Sequence, residues 1–197
     1  MKKFVAFLIS LIAIVVGAVI VLTPISAEKS LKYQLDLVQS EKLAMVTQQF
    51  DIDIYESVKQ LFQEKQIELT DEEVKILVDT MLTFEYSINE DSDDTPSTVS
   101  LKVLTVDMVG LIKAKVKENV GNIIVGVLQG KDVQNEVIAK EVIASLKATP
   151  KTYSTEVIVN MRNVKDIFYL IDFANNNDLY NALSGGLFYE LDMLESY

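Results

Sequence analysis

Three pairs of neighbouring carboxylates are the side chains best suited to acid–base chemistry in this sequence of 197 residues: Asp51/Asp53, Glu72/Glu73 and Asp93/Asp94. Paired carboxylates can serve as general acid and general base in hydrolysis. All three pairs fall at predicted turns or helix starts, where capping and solvation explain them. Histidine and cysteine are absent, which excludes imidazole bases, thiol nucleophiles and the metal sites built on either residue. We therefore expect no catalytic residue and no cofactor, with a carboxylate-based hydrolase as a remote alternative.

Two further motifs resemble ligand-binding loops but suit a structural role better. In the acidic stretch that starts at Asp91, the sixth position is Pro96 and the twelfth is Lys102. The calcium loop of an EF-hand needs glycine and glutamate at those positions, so we predict a solvated turn and no metal site. Gly185 and Gly186 follow a predicted helix instead of preceding one, which suits a helix C-cap and not a phosphate-binding loop.

Aromatic residues crowd the last thirty positions of the chain and supply a candidate binding surface. Most of them should belong to the core. If the concave face of a curved sheet is open, some would line a pocket for an apolar ligand or a peptide side chain. The candidate surface consists of Tyr169, Phe173, Tyr180 and Phe188.

The location of the protein is predicted by Phe4–Leu22, a run without charges that directly follows Lys2 and Lys3. As a helix, these nineteen residues would be roughly 28 Å long, close to the ~30 Å hydrocarbon thickness of a bilayer. The run is either a retained membrane anchor or a secretory signal peptide that is cleaved near Ala27. The positive-inside rule places the chain from Glu28 onward outside the cell in both cases.

The charge of the chain restricts its partners. All 29 acidic residues and 16 of the 18 basic residues follow Ala27, so this part carries a net charge of −13. We expect no nucleic-acid partner, because such binding needs clustered Lys and Arg, and Arg162 is the single arginine. The negative charge should keep the domain off anionic lipid headgroups and attract cationic partners such as basic peptides. Solubility alone is the simpler explanation of the same charge.

The spacing of apolar residues predicts three helices before the first strand. Apolar residues three and four apart indicate a helix over Glu28–Phe50 that leaves the membrane. A second helix covers Tyr55–Phe62, and a third starts at the sequence Thr70–Glu73, which has the T-x-x-E form of a capping box. We expect these helices to form one antiparallel layer.

At Phe84 the apolar period changes from about 3.6 to 2, which is typical of strands. Phe84–Ile88 and Val99–Thr105 are predicted to be strands joined by a long acidic hairpin loop, and Thr152–Met161 and Ile167–Ile171 are predicted to be a second pair. Between these pairs the sequence predicts two long helices. The first covers Asp107–Leu128 with Asp107 as its cap and an apolar stripe of Met108, Ile112, Val116 and Val120; the second runs from Asp132 to the region of Leu146, with Val137 among its inward-facing residues.

Four segments in the second half form a recognisable set: Val99–Val103 leading into Val106 and Asp107, the helical pair between Asp107 and Leu146, Glu156–Val159, and Ile171-Asp172 followed by Leu183–Leu187. Through these segments, residues 98–187 resemble a domain of unknown function found in secreted and lipid-anchored proteins of Gram-positive bacteria. The resemblance implies a cystatin-like or nuclear-transport-factor-like α+β fold and no reaction. Its members carry a lipid-modified cysteine that this chain lacks, so Phe4–Leu22 would have to replace it as the anchor.

We therefore expect an α+β protein with a curved antiparallel sheet packed on helices. Residues 1–27 would be the signal peptide or anchor, 28–83 a helical region packed on or leading to the sheet, and 84–197 the sheet domain, with 28–197 forming one domain. The expected function is a non-catalytic extracytoplasmic binding or accessory role, tethered or secreted, on a cationic peptide or another surface protein. The alternative is a protective protein at the cell surface that confers bacteriocin immunity or excludes superinfecting phage.

Overall fold

The structure is a computed structural model that describes residues 26–40, 53–64, 66–89, 97–128, 135–166, 168–187 and 189. Within these residues the chain forms six α-helices, one short 3-10 helix and a four-stranded antiparallel sheet, which confirms the α+β class. The predicted anchor or signal, Phe4–Leu22, lies outside the described residues. No helix in the described part is long and apolar enough to cross a membrane.

The helices are α1 (Ala27–Val38), α2 (Ile54–Gln63), α3 (Asp71–Leu82), α4 (Met108–Leu128), α5 (Asn135–Leu146) and α6 (Asn177–Leu183). The strands are β1 (Glu85–Ile88), β2 (Thr98–Val106), β3 (Lys151–Val164) and β4 (Phe168–Ile171). The 3-10 helix Phe173–Asn175 connects β4 to α6.

The sheet has the strand order β1-β2-β3-β4, and every neighbouring pair is antiparallel. The register Tyr86↔Val103 confirms the predicted first hairpin, and Met161↔Ile171 confirms the predicted pairing of the last two strands. Because successive side chains of a strand point to opposite faces, β2 and β3 have one buried and one exposed face. Val99, Leu101, Val103, Val157 and Val159 lie on the buried face, and Lys102, Glu156 and Ile158 lie on the exposed face.

Helices pack in two groups. α1 packs against β4 and β2, and α6 packs against β3 and β2. The other four helices form a row in the order α2-α3-α5-α4, in which each helix contacts the next. The prediction that the first three helices form one layer is therefore correct for α2 and α3. It is wrong for α1, which packs on the sheet.

Helix starts follow the capping predictions. The Thr70 hydroxyl accepts a hydrogen bond from the Glu73 N–H at 3.3 Å, and the Glu73 carboxylate accepts one from the Thr70 N–H at 2.7 Å, so the capping box is confirmed. The bond from the Thr70 N–H also lowers the pKa of the Glu73 carboxyl group. Asp107 caps α4 by accepting the Gly110 N–H at 2.8 Å, as predicted.

The prediction of one continuous helix over Glu28–Phe50 is wrong, because α1 ends at Val38; residues 41–50 lie outside the described residues. The Gln39 N–H bonds to the Leu35 carbonyl at 3.2 Å. Ser40 then bonds to the Leu37 carbonyl twice, through its N–H at 3.2 Å and its hydroxyl at 2.8 Å. These bonds satisfy terminal carbonyls of α1, and such local serine bonds compete with helix continuation.

Two predicted core stripes are also partly wrong. Val116 and Val120 of α4 are 38% and 44% exposed, and Val137 of α5 is 41% exposed. For α4 the physical reason is its position at the end of the helix row, where α5 covers one side of it. Apolar periodicity marks the side of a helix that can be buried, but it does not supply a neighbour to bury it.

The predicted C-cap at the paired glycines is confirmed. The Gly186 N–H bonds to the Asn181 carbonyl at 2.9 Å and the Gly185 N–H bonds to the Ala182 carbonyl at 3.2 Å, which is the Schellman pattern. Gly185 has a φ of +62°, and a Cβ there would lie 2.0 Å from the Val106 carbonyl oxygen at the end of β2. The turn therefore requires glycine at position 185 both for its backbone angle and for space.

Replacing Gly185 with alanine should destabilise the protein by about 2 kcal/mol or more, since the backbone angle is unfavourable and a backbone carbonyl must move. The matched control is Gly121→Ala in α4, where a Cβ meets nothing within 4 Å. That change should stabilise by roughly 0.5–1 kcal/mol. Thermal unfolding followed by circular dichroism measures both, and equal effects would show that the turn does not depend on Gly185.

Candidate binding surface

Helix α1 lies where a fifth strand would pair with β4. The Gln34 side chain donates to the Tyr169 carbonyl, with 2.9 Å from Nε2 to O, and accepts from the Ile171 N–H, with 3.0 Å from N to Oε1. The Ser30 hydroxyl accepts from the Tyr169 N–H at 3.3 Å. The side chains of Ser30 and Gln34 are both buried. Backbone groups at the free edge of β4 are therefore satisfied by a helix instead of by a strand.

The same helix also reaches the opposite edge of the sheet. The Tyr86 hydroxyl on β1 donates to the Asp36 carboxylate, and the Gln39 side chain donates to the Phe84 carbonyl just before β1. Burial and the bond to Asp36 raise the pKa of the Tyr86 hydroxyl above its usual range, so it stays protonated as a donor. Polar contacts therefore hold α1 at both edges of the sheet.

The structure places two of the four predicted surface residues. Tyr169 is half-buried and packs against the core, and its backbone is the part of β4 that α1 holds. Tyr180 is 6% exposed, and burial together with the negative charge of Asp172 raises the pKa of its hydroxyl. The side chain of Phe173 and the whole of Phe188 lie outside the described residues. A pocket lined by all four stays a prediction, and Tyr169 is the more accessible of the two described members.

A second buried amide stabilises the end of the sheet and was not predicted from the sequence. Asn176 is 2% exposed. Its side chain accepts from the Asn160 N–H at 2.8 Å and donates to the carbonyls of Asn160 and Asp172 at 2.8 Å and 2.7 Å. β4 ends at Ile171, so the Asn176 side chain bonds to the β3 backbone just beyond the last residue of β4. The run of three asparagines that leads into α6 was the signal in the sequence.

The predicted carboxylate pairs have structural partners where they are described. Asp53 caps α2, and Glu73 belongs to the capping box of α3. Glu72 forms an ion pair with Lys147 at 3.3 Å. Asp51 and the pair Asp93/Asp94 lie outside the described residues. In the described part of the chain, no group of acidic side chains is arranged to hold a metal ion.

Acidic charge is concentrated at the α2 end of the helix row. Residues 53–82 contain eight acidic residues and three lysines. We call the exposed acidic residues of this region the acidic surface: Asp53, Glu56, Glu64, Glu68, Asp71 and Glu72. Lys59 pairs with Asp71 at 2.6 Å, and Lys147 pairs with Glu72 at 3.3 Å, so both ion pairs neutralise part of that charge.

Helix α4, at the other end of the row, has the opposite local charge. It contains three lysines and one glutamate. The glutamate, Glu118, forms an ion pair with Lys115 at 2.7 Å. Lys113 and Lys117 are exposed beside Val116 and Val120. The two ends of the helix row therefore differ in charge and in apolar exposure.

Comparisons with known proteins give one structural neighbour. No known protein family matches the chain, and no curated protein matches it. The crystal structure of a Bacillus subtilis protein described as a candidate lipoprotein, ycdA, aligns with a TM-score of 0.39 and 14% identity; the alignment covers 82% of this chain and 56% of that one. A match of this size assigns the chain to no family and does not establish a fold name.

Replacing Gln34 with leucine should open the β4 edge. The change keeps a side chain of similar length but removes the partners of the Tyr169 carbonyl and the Ile171 N–H, so we expect a loss of about 2–4 kcal/mol of unfolding free energy. Hydrogen exchange at the Ile171 amide should accelerate more than exchange in the centre of β2.

The matched control is Gln60→Leu on α2, because Gln60 is exposed and its side chain bonds to Glu56 at 3.2 Å. Its effect should stay within about 0.5 kcal/mol. Slow, unchanged exchange at Ile171 in the Gln34→Leu variant would show that α1 does not hold this edge.

Proposed function

We propose that this protein is a non-catalytic extracytoplasmic binding or accessory protein, held beside a membrane by Phe4–Leu22, that acts on a protein or peptide partner. The position of α1 carries this proposal. α1 begins at Ala27, with only four residues between it and Leu22, and packs directly on the sheet. A domain whose central helix starts this close to an anchor stays within a short distance of the bilayer surface.

The start of α1 favours a retained anchor over a cleaved signal. The Ser26 hydroxyl caps α1 by accepting the Lys29 N–H at 3.4 Å, and Ala27 is the first helical residue and is buried. Cleavage after Ala27 would remove both residues and cost about 1 kcal/mol for the lost cap. It would also place a positively charged amino group at the helix N-terminus, where the helix dipole is unfavourable for it.

The arrangement of α1 also supports the cystatin-like or nuclear-transport-factor-like fold name that residues 98–187 imply. α1 bonds to β4 at one edge of the sheet and to Tyr86 and Phe84 at the other. A sheet that curves around this helix brings both edges within reach of its side chains.

Single-cysteine labelling tests the location, because the chain has no native cysteine. A Glu68→Cys variant should react with a membrane-impermeant maleimide on intact cells and sediment with the membrane fraction. The matched control is Lys3→Cys, which should stay with the membrane and react only after lysis, since the positive-inside rule keeps it in the cytoplasm.

Either of two results would contradict the anchored arrangement. Loss of the residue-3 label from the mature protein, with residue 68 in the medium, would establish cleavage and secretion. Labelling of residue 68 only after lysis would show that the domain lies inside the cell and would contradict the proposed function.

The acidic surface supports a cationic peptide as the partner and keeps the protective function as the second candidate. Glu64 and Glu68 are exposed between α2 and α3, and Asp71 and Glu72 follow at the start of α3. A surface of this charge, held close to the membrane, would meet a cationic peptide before that peptide reached the lipid. Interception of this kind would protect the cell that carries the protein.

Binding of a lysine-rich amphipathic peptide, measured by calorimetry, tests this partner class. Glu64→Lys and Glu68→Lys should each weaken binding roughly two- to fivefold, because each removes one attractive contact and adds a repulsive one. Asp166→Lys, in the β3–β4 turn, makes the same change of charge away from the acidic surface and should have little effect. If all three variants weakened binding equally, the attraction would depend on net charge alone and not on the acidic surface. Binding that did not change with salt concentration would contradict an electrostatic partner.

A further inference from the structure

The outer edge of β1 exposes backbone groups that the sheet does not use. Among the described strands, β1 pairs with β2 alone. The Asn89 N–H bonds to the Ser100 carbonyl at 3.1 Å, so these two residues form a hydrogen-bonded pair of the antiparallel ladder. Bonded and non-bonded pairs alternate along such a ladder. The N–H and carbonyl groups of Ser87 therefore point toward β2, and those of Tyr86 and Ile88 point away from it.

The two edges of the sheet are treated differently. At β4, side chains of α1 bond to the outward backbone groups. At β1, the Gln39 side chain bonds to the Phe84 carbonyl, just before the strand begins. Within the described part of the chain, no hydrogen bond reaches the outward backbone groups of Tyr86 and Ile88, and the close contacts of β1 are with β2. These two residues therefore offer two donors and two acceptors to an added strand.

We propose that the β1 edge, defined as the outward backbone groups of Tyr86 and Ile88, binds a basic peptide in extended conformation. The peptide adds to the sheet as a fifth strand beside β1. In this mode of recognition, main-chain hydrogen bonds supply affinity and alternate side chains supply specificity. The inference rests on the proposed function, because it assigns a binding mode to the peptide partner proposed above.

The side chains of β1 indicate the sequence pattern of such a peptide. Tyr86 and Ile88 are half-buried and pack against the core, whereas Glu85 and Ser87 are exposed on the opposite face. Opposed side chains of neighbouring strands contact each other. An added strand therefore places alternate residues beside an apolar face and a polar face. Lysines that alternate with β-branched apolar residues match both faces.

The positive charge of the peptide follows from the charge of the whole domain. Glu85 is already paired with Lys151 at 3.0 Å, so it does not select a cation by itself. The chain after Ala27 carries a net charge of −13, and this field attracts a basic strand and repels an acidic one. Four of the acidic residues follow β1 directly in the sequence: Glu90, Asp91, Asp93 and Asp94.

The same observations disfavour a second copy of the chain as the added strand. Each copy carries the same negative charge, so two β1 edges approach against repulsion. β1 is four residues long. A stable interface between folded proteins takes about 20–30 residues a side, far more than this edge supplies. A short peptide needs no larger surface, because its backbone alone completes the ladder.

Amide hydrogen exchange followed by NMR tests the binding mode in the full-length protein, held in zwitterionic detergent micelles. The probe is an eight-residue peptide of alternating lysine and valine. The Tyr86 and Ile88 amides should exchange fast in the free protein and at least about tenfold more slowly with saturating peptide, because they gain acceptors. The Ser87 amide, which points toward β2, is the internal control and should change little. A peptide of alternating glutamate and valine should protect none of them.

Two substitutions at one position test the outward donor. Ile88→Pro removes an N–H that the ladder does not use, so we expect the fold to survive and calorimetry to show about tenfold or more weaker binding of the lysine–valine peptide. Ile88→Val keeps the N–H and should change the affinity by less than about twofold. Equal affinities of the two variants, with thermal unfolding showing that both are folded, would overturn the proposal. If Ile88→Pro does not fold, protection of the Tyr86 amide in the unsubstituted protein decides the question.

Exchange in the absence of peptide supplies a second way to overturn the proposal. Slow exchange of the Tyr86 and Ile88 amides at every protein concentration would show that the protein itself covers the β1 edge. Protection that increases with protein concentration would show that a second copy covers it.

Charge variants of the acidic surface separate this proposal from the proposed function. A peptide that binds but leaves the Tyr86 and Ile88 amides unprotected overturns the β1 edge, and weakening by Glu64→Lys then retains the acidic surface as the site. Protection that persists in Glu64→Lys and Glu68→Lys retains the β1 edge and removes the acidic surface as the site. Failure of the lysine–valine peptide to bind refutes both.

Discussion

The fold depends on how the free edge of a four-residue strand is satisfied inside the protein. β4 pairs with β3 on one side, and on its other side the Tyr169 and Ile171 backbone groups face α1. Without partners, each of these buried groups would cost on the order of 1–3 kcal/mol. Gln34 satisfies two of them with one uncharged amide, which adds no buried charge to the core. α1 is therefore fixed to the sheet by polar geometry as well as by its apolar residues, and the start of the domain is fixed with it.

Asn176 applies a similar solution to β3 just beyond the end of β4. Its amide bonds to both backbone groups of Asn160, whose carbonyl also accepts from the Asp172 N–H at 2.8 Å. The chain then turns through α6 to Gly185, whose missing Cβ allows contact with the Val106 carbonyl at the end of β2. Side-chain amides and one glycine thus stabilise the ends and the outer edge of the sheet. Asparagine and glutamine suit this role because each offers a donor and an acceptor in the spacing of a peptide group.

The elements could be predicted from the sequence wherever one local rule decided the outcome. The capping box at Thr70, the alternation in β2 and β3 and the C-cap at Gly185 each depend on a few adjacent residues, and the structure confirms them. Long-range pairing was not predictable, because nothing local marks Gln34 as the partner of Tyr169, which lies 135 residues away. The prediction that Val116 and Val120 are buried failed for a related reason. Periodicity identifies one face of a helix, and only the packing order of the helices decides whether that face is covered. Tyr169, Phe173, Tyr180 and Phe188 were predicted as one aromatic surface. Of the two that are described, Tyr180 is buried and Tyr169 is more accessible.

The net charge of the chain conceals an uneven distribution along the helix row. Because the row has the order α2-α3-α5-α4, the acidic surface lies at one end of it, and α4, with three lysines and one glutamate, lies at the other. A charged partner therefore meets two different surfaces, and the sign of its own charge decides which of them attracts it. The total charge alone could not predict this difference, because it depends on which helix each charged residue belongs to and on the order in which the helices pack.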